Sequence, residues 1–597
     1  MAGLSSHPGS SGDPPTPHVL RELAFLADGE RGAVIGPSGA VEWLCFPGWA
    51  DPSVFSSLVG GHGWFSVRPA GRFVWGGHYE EGSLVWRSHW VLAGGAMVEC
   101  REALALPARP GRAVLLRRIE VLTGDSAVEM VLDPRPCYGT AGVRTWHHHD
   151  GAFTASAQGV HFRLTGAGRA DDRPDGHGGR KLVATMSLSE GEHHDLVLEL
   201  SDAPFGDDHP DPDHAWEQTR SRWARDVPEV EVAVGRRDAR HALTVLHGLT
   251  AASGAMVAAA TTSLPERADT GRNYDYRYAW IRDMALSGQA VAVAAPGAAV
   301  LDRWVAFVID RVLEDGAGIS PAYTAMGDPI PRPSKLGLVG YPGGTDVIGN
   351  PVRDQFQLDV LGEVLLMLAA VARLGRLDSE GWRAATAAAE AIGARWHEPD
   401  SGFWELGPRW WAESRLTCVA GLRAMSAAGA PSSLVGTWQS LADAILAETT
   451  VKCTHESGRL QRAPDDTRVD AALLLPLLRG ALPPADPRVS ATVAAVRDEL
   501  SVDGYVYRYR ADERPLGEAE GAFLLCGFVM SLAELLEGNV VASARWFERT
   551  RSGCGPPGLF SEEFDVDQRQ LRGNLPQAFV HAALLEAAAA QPDEPAK

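Results

Sequence analysis

Two regimes of hydropathy patterning predict a multidomain protein, with an N-terminal antiparallel β-sandwich followed by a C-terminal all-α (α/α)6 toroid. Three observations carry this expectation. Residues 18–205 alternate apolar and polar side chains in short runs cut by Gly, Pro and Asp, the period of half-buried strands. Residues 236–592 repeat apolar positions at i, i+3, i+4 and i+7 in about a dozen segments, the period of amphipathic helices. A length of 597 residues exceeds what one hydrophobic core supports, so at least two packed units are required.

Taken in order, residues 1–17 are Gly-, Ser- and Pro-rich and cannot bury enough surface to order themselves, which predicts a disordered tail. The runs GAVIG, AVEWLCF, GWFSVRP, LVWRSHWVL, AVLLRRIEVL, AVEMVLDPR, HFRLTG and DLVLELS then read as strands. So many, with almost no helical period between them, favour two packed sheets over a mixed fold. The stretch DRPDGHGGRK (172–181) reads as the tip of a surface hairpin. Over 206–235 an acidic, Pro-containing stretch passes into AWEQTRSRWARDV, a connecting helix between the two regimes.

Helical segments follow at 237–256, 277–295, 300–313, 356–374, 380–395, 414–428, 433–448, 468–479, 488–500, 521–536, 540–550 and 576–590. They pair into about six hairpins. No fixed sequence period links them, which speaks against a solenoid and for a closed toroid. The long loops 314–355 and 396–412 are expected at one mouth of it, where a pocket would form.

Composition excludes several classes. The chain is 45% hydrophobic and 22% charged, which is globular. With 76 acidic against 55 basic residues and a net charge of −21, it repels nucleic acid and anionic membranes. Seven cysteines, an odd number without a CxxC pair, give neither a zinc site nor a disulfide framework. The first twenty residues carry no basic and apolar signal pattern, so a cytoplasmic location is expected. Apolar runs such as 360–374 are too short to span a bilayer. The triple His147–His149 on a strand would alternate faces and cannot share one ion, and no phosphate-binding glycine loop stands between a strand and a helix. No metal or cofactor is expected.

Three segments place carboxylates, aromatics and arginine where packing does not ask for them. RNYDYRYAWIRDMAL (272–286) brings four aromatics, Arg282 and Asp283 to a helix start; the rings can stack on sugar faces while the charged pair binds hydroxyls. A helix start with an ordinary ion pair would read the same way. In HEPDSGFWELGPRWW (397–411), Glu405 follows Phe403 and Trp404, an apolar flank that favours the protonated form a general acid needs. GLFSEEFDVDQRQLRGNLPQAFVHAALL (558–585) carries Glu562, Glu563, Asp565 and Asp567 without calcium-loop spacing. Two glutamates on separate loops suit glycosidic cleavage, one protonating the leaving oxygen and the other activating water.

The ordered segments GAVIGPSGAVEWLCFP, TTSLPE, RNYDYRYAWIRD, IGNPVRDQFQLDVLGEVL, PDSGFWE, EGAFLLCGF, GLFSEEFD and GNLPQAFVH resemble glycoside hydrolase family 15, the glucoamylase family, in its bacterial branch of glucoamylases and trehalases. The likeness spans about residues 18–590 and implies a β-sandwich, a helical linker and an (α/α)6 catalytic barrel. Carried over residue by residue, it implies Glu405 as general acid and Glu562 as general base, with Glu563 a neighbour. It further implies Arg282 and Asp283 as a clamp on the non-reducing-end glucose. Trp280 and Trp404 are implied as substrate-facing aromatics and Tyr276 as a holder of the water, with Asn350 and Gln355 on a pocket-lining loop. After Glu405 the run LGPRWWAESRLTCVAG departs from the pattern, lacking the basic residue shortly after the acid and the later tryptophan that bacterial relatives usually carry, and GYPGGTDVIGN is shortened and lacks the arginine that often precedes Ile-Gly-Asn. Both departures fall where the leaving group would bind.

The expected activity is an inverting, exo-acting hydrolase that releases glucose from a small α-glucoside, trehalose or an isomalto- or malto-oligosaccharide. The alternatives are a catalytically lapsed sugar-binding or regulatory protein on the same scaffold, and an enzyme acting on a glycosylated natural product.

Overall fold

The computed structural model describes residue 15 and residues 17–268 and 271–592; of the expected tail, residues 1–14 and 16 lie outside the described residues. Two compact units emerge. The first holds the described residues up to Arg225, with 335–346 and 555–559, and the second holds 226–334, 347–554 and those from Phe560 on.

The first unit is built on two eight-stranded antiparallel sheets. One orders Ala24–Ala27, Gly32–Ile35, Ala40–Cys45, Trp64–Pro69, Ser126–Asp133, Arg180–Leu188 and Asp171–Pro174, with Ser53–Phe55 beside Ala40–Cys45. The other runs from His147–His149 at one edge, through Ala152–Ala157, Val160–Thr165, His193–Ser201, Arg112–Thr123, Met97–Leu104 and Trp86–Leu92, to Phe73–Tyr79. Alternation decides which face is buried: in WRSHWVL, Trp86, Ser88 and Trp90 are buried while Arg87 and His89 stay half-buried. Leu26, Phe65 and Met130 from one sheet and Trp90, Leu115 and Leu198 from the other share one core, so the two sheets form a sandwich. The hairpin expected at 172–181 forms, with Pro174 opposite Arg180. All three of His147–His149 are exposed. Helix α1 (Pro212–Asp226) buries Trp216 and Trp223, and Arg101 lies 4.4 Å over the Trp216 ring, so this helix packs on the sandwich rather than standing free as a linker.

The second unit contains twelve α-helices among the described residues: α2 (Arg236–Gly248), α3 (Ile281–Ala294), α4 (Ala299–Asp315), α5 (Asp359–Arg373), α6 (Ser379–Arg395), α7 (Ala412–Ala427), α8 (Ser432–Cys453), α9 (Leu474–Leu478), α10 (Pro487–Glu499), α11 (Leu524–Leu536), α12 (Val540–Arg551) and α13 (Ala578–Ala590). Helix α3 packs on α5, α5 on α7, α7 on α9, α9 on α11, α11 on α13, and α13 returns to α3. That closure makes the inner ring of an (α/α)6 toroid, with the even-numbered helices outside. The sequence sorts them: α11 (LLCGFVMSLAELL) is buried on nearly every side, whereas α12 (VVASARWFERTR) buries only Ser543, Phe547 and Thr550.

Inner helices approach closely through glycine. A Cβ on Gly362 of α5 would lie 2.6 Å from the Thr417 carbonyl carbon of α7, and one on Gly421 of α7 would lie 2.5 Å from the Gly362 oxygen. These neighbours are backbone and cannot rotate away. Gly362→Ala is therefore expected to destabilise the toroid by about 2 kcal/mol, overpacking outweighing a gain of roughly 1 kcal/mol in helix propensity. A lowered thermal unfolding midpoint checks this.

Several expected helices start late or stop early. The segment 237–256 is helical only to Gly248, because the chain then folds back on itself, Ala251 N donating to the Ala255 oxygen and Val257 N to the Leu249 oxygen. The segments 277–295, 356–374 and 521–536 become helical at 281, 359 and 524. Just before two of these starts, Ala279–Trp280 pairs with Ala322–Tyr323, and Ala522–Phe523 pairs with Glu563–Phe564. Tertiary strand pairing overrides helical period at these places. Of the long loop 314–355, residues 335–346 belong to the first unit.

Candidate active site

The extended entries to the inner helices carry the candidate residues. Residues 258–266 and 272–278 run antiparallel, with Ser263 N donating to the Tyr274 oxygen at 3.0 Å and Glu266 N to the Arg272 oxygen at 3.1 Å. Alternation in NYDYRY puts Asp275 and Arg277 on one face as a buried ion pair at 2.8 Å. It puts Tyr274 and Tyr276 on the other, their rings 6.2 Å apart and nearly parallel. Trp280 lies edge-on to Tyr276 at 5.5 Å, and the first turn of α3 follows with Arg282 and Asp283.

This aromatic pair touches both glutamates. Trp280 Nε1–H donates to Glu405 Oε1 at 2.6 Å, and the Tyr276 hydroxyl donates to Glu562 Oε2 at 3.0 Å, with Oε1 at 3.2 Å. Burial, and then the charges of Glu562 and Glu266, push the Tyr276 phenol well above its ordinary range, so it keeps its proton and acts as the donor.

Glu405 sits on a tight turn. Glu405 N donates to the Gly402 oxygen at 3.1 Å and Leu406 N to the Ser401 oxygen at 2.8 Å, while Asp400 Oδ1 accepts from Gly402 N at 2.8 Å. Glu405 itself has φ +57°, a left-handed conformation that costs a non-glycine residue about 1–3 kcal/mol and persists because the surrounding bonds over-determine it. The apolar flank expected from Phe403 and Trp404 is not what the carboxylate meets. Phe403 lies under the Arg282 guanidinium at 4.7 Å, and Trp404 Nε1 donates to Asp470 Oδ1 at 2.7 Å while its ring stands edge-on to Phe523. Both neighbours anchor the loop. The carboxylate, its side chain 25% exposed, accepts on Oε1 from Trp280 and, at 3.1 Å, from Arg282 Nη2.

Arg282 is fixed from several sides. Its Nη1 donates to Gln357 Oε1 at 2.8 Å, and Asp359 and Asp283 stand at 3.7 and 3.9 Å. Burial pushes the Asp283 carboxyl up to about 7, with Arg282 opposing and Glu405 adding. Gln355 Oε1 accepts from Gln357 Nε2 at 2.9 Å, and Gln355 Nε2 reaches the Glu405 carbonyl oxygen at 3.5 Å. Asn350, expected as a substrate-binding residue on a pocket-lining loop, has its amide engaged by backbone. It is 1% exposed, its Oδ1 accepts from Val352 N, and its Nδ2 donates to the Asp275 carbonyl, so it caps the short helix Pro351–Asp354.

Glu562 enters a three-stranded sheet of Ala522–Phe523, Glu563–Asp565 and Gln570–Arg572, with its carbonyl accepting from Leu524 N at 3.0 Å. Extended backbone turns adjacent glutamates apart. Glu563 accepts from Gly521 N at 2.8 Å and lies 3.4 Å from Arg508, while Glu562 faces Tyr276. Burial, and then Glu266, hold the Glu562 carboxyl well above the usual carboxylate range.

Gln357, Asp359, Glu266, Arg508 and Glu520 were not singled out from the sequence. A signal existed for one of them: Gln355 and Gln357 alternate in an extended stretch and so share a face. Glu266 closes TTSLPE, a segment that carried the family resemblance without a role for this glutamate.

Residues 240–589 match the glycosyl hydrolases family 15, and residues 11–227 match a trehalase-like N-terminal domain. The chain is 31% identical to the trehalase of Mycobacterium tuberculosis over 98% of its own length and 91% of that protein's. It is 29% identical to the trehalase of Mycolicibacterium smegmatis over 95% and 90%. Its fold matches that of a bacterial glucoamylase complexed with acarbose, with a TM-score of 0.73 and 14% identity over 99% of this chain and 96% of that one. The fold and family expected from the motifs are thus borne out, and the chain, a glycoside hydrolase, belongs to glycosyl hydrolases family 15.

Proposed function

We propose that this enzyme is an inverting, exo-acting α-glucoside hydrolase that releases glucose from the non-reducing end of trehalose or of a short isomalto- or malto-oligosaccharide. Glu405 is the general acid and Glu562 the general base. The observation that carries this reading is the pair Trp280 and Tyr276, in edge-on contact, each bonded to one of the two glutamates.

Both donors on Glu405 occupy Oε1, so the transferable proton belongs on Oε2, where it can pass to the leaving glycosidic oxygen. Glu562 takes a proton from the attacking water, which Tyr276 helps to orient. Inversion needs room for that water, with carboxyl groups about 6.5–9.5 Å apart. Arg282 and Asp283 hold the hydroxyls of the terminal glucose, and the half-buried Trp404 ring borders the same loop as the acid. Two relatives bear the name trehalase, which favours trehalose among the candidates, since both cover nearly the whole chain.

The test is proton NMR of the first products. Hydrolysis of trehalose by inversion is expected to release α- and β-glucose in equal amounts before mutarotation, because one ring is inverted and the other leaves unchanged. From isomaltose, the non-reducing ring is expected to appear as β-glucose. Initial release of α-glucose alone from trehalose would rule out inversion, and binding without any turnover would favour the lapsed-enzyme alternative.

A further inference from the structure

Around Glu562 the second unit buries more negative than positive charge. Glu266, Glu520, Glu562 and Glu563 are each at most 6% exposed, and the two guanidiniums among them are Arg272 and Arg508. Three of the carboxyls are paired. Arg272 bonds Glu266 Oε2 at 2.8 Å and stands 3.2 Å from Glu520. Arg508 bonds Glu520 at 2.7 Å and lies 3.4 Å from Glu563, which also accepts from Gly521 N. The bonds of Glu562 go instead to the Tyr276 hydroxyl, and that hydroxyl also lies 3.4 Å from Glu266 Oε1. One O–H therefore faces oxygens of two carboxyls and can donate fully to only one of them. Four buried carboxyls against two guanidiniums cannot all be ionised at low cost, and a proton is the available counter-charge.

We propose that Glu266 is a positioning residue for the base: it shares one proton with Glu562 beside the Tyr276 hydroxyl, and loss of that proton sets the lower pH limit of activity. The proposal rests on the reading of Glu562 as the general base. Arg272 bonds Glu266 Oε2 and so fixes that carboxyl beside the Tyr276 hydroxyl, where it opposes ionisation of Glu562. Burial, followed by Glu266, acts on Glu562 in the same direction. The other groups facing this pair are Tyr274 and Tyr276 on its own ribbon, Arg508 and Glu520 on the adjoining segment, Glu563 on the strand, and Glu405 beyond Tyr276. Of these, Arg508 favours the charged form of Glu562, as does the hydrogen bond that the Tyr276 hydroxyl donates to it.

The sign follows from which form works. The base must be ionised, so activity rises with pH as the shared proton leaves. Removing the neighbouring charge lets it leave at lower pH.

The experiment is the pH profile of kcat/KM on trehalose for the full-length wild type, Glu266→Gln, Glu266→Asp and Glu562→Gln. Glu266→Gln is expected to move the acid limb down by about one pH unit or more, with the alkaline limb in place. Glu266→Asp, which keeps the charge, is expected to return the acid limb toward the wild-type position. A purely structural role would lower the whole profile without moving its limb, and that result overturns the proposal. If Glu562→Gln abolishes turnover while the Glu266→Gln limb stays put, only this inference fails; if Glu562→Gln stays active, the assignment of the base fails as well. Should Glu266→Gln not fold, neutron diffraction of the wild type at neutral pH decides. A deuteron between Glu266 and Glu562 is expected, and two bare carboxylates would overturn the proposal.

Discussion

Glu562→Gln is expected to lower kcat on trehalose by about 100- to 10,000-fold, the share of the rate usually supplied by a positioned acid or base. The amide is isosteric and can still accept from Tyr276, so the fold should survive. Stability offers an independent readout. Burial first, then Glu266, raise the Glu562 carboxyl well above its ordinary value of 4.5. The folded state therefore holds a proton that the unfolded chain releases near that value. The stability linked to this proton is fully present below about pH 4.5 and is lost as pH rises toward the raised value. Gln carries no such charge, so the unfolding midpoint of Glu562→Gln relative to wild type is expected to rise with pH. A loss of activity with no such trend would mean that the buried carboxyl is not held above its ordinary range in the folded state.

Glu405→Gln is expected to lose as much, about 100- to 10,000-fold on trehalose, but for a different reason that the choice of substrate exposes. A sugar alkoxide is a poor leaving group and needs a proton as the bond breaks. Fluoride or nitrophenolate needs none. On an α-glucosyl fluoride or a nitrophenyl α-glucoside, the Glu405→Gln variant should recover most of its rate, whereas Glu562→Gln should remain slow on every substrate, because water must be deprotonated in each case. Parallel kcat measurements on the two substrate types separate the roles. Equal losses on both by the Glu405 variant would contradict its assignment as the acid. The variant keeps an acceptor for Trp280 Nε1–H and Arg282 Nη2–H, so the change falls on the proton at Oε2 rather than on the position of the loop.

Much of this architecture was legible locally. The two-residue period of strands such as Trp86–Leu92 and the 3.6-residue period of α5 and α11 each arise within a few turns of chain, so hydropathy alone separated sandwich from toroid. The alternation in NYDYRY, by contrast, reads only as the approach to a helix, and the extended backbone parts Tyr274 and Tyr276 from the Asp275–Arg277 pair onto opposite faces. The helix entries were misjudged because their hydropathy is compatible with helix. Pairing of Ala279–Trp280 with Ala322–Tyr323, and of Ala522–Phe523 with Glu563–Phe564, holds them extended, and those partners lie about forty residues away in each case.

What the sequence by itself determined is the class of the long segments, though not of the helix entries, and the identity of the residue types at the site, since periodicity and composition are local properties. What only the tertiary structure decided is which charges meet. Glu266 and Glu562 are nearly three hundred residues apart, yet one hydroxyl contacts both. Glu405 carries Arg282 and Trp280 rather than the aromatic rings beside it in the chain. Electrostatic energy depends on separation in space and on burial, and neither can be read from order along the chain.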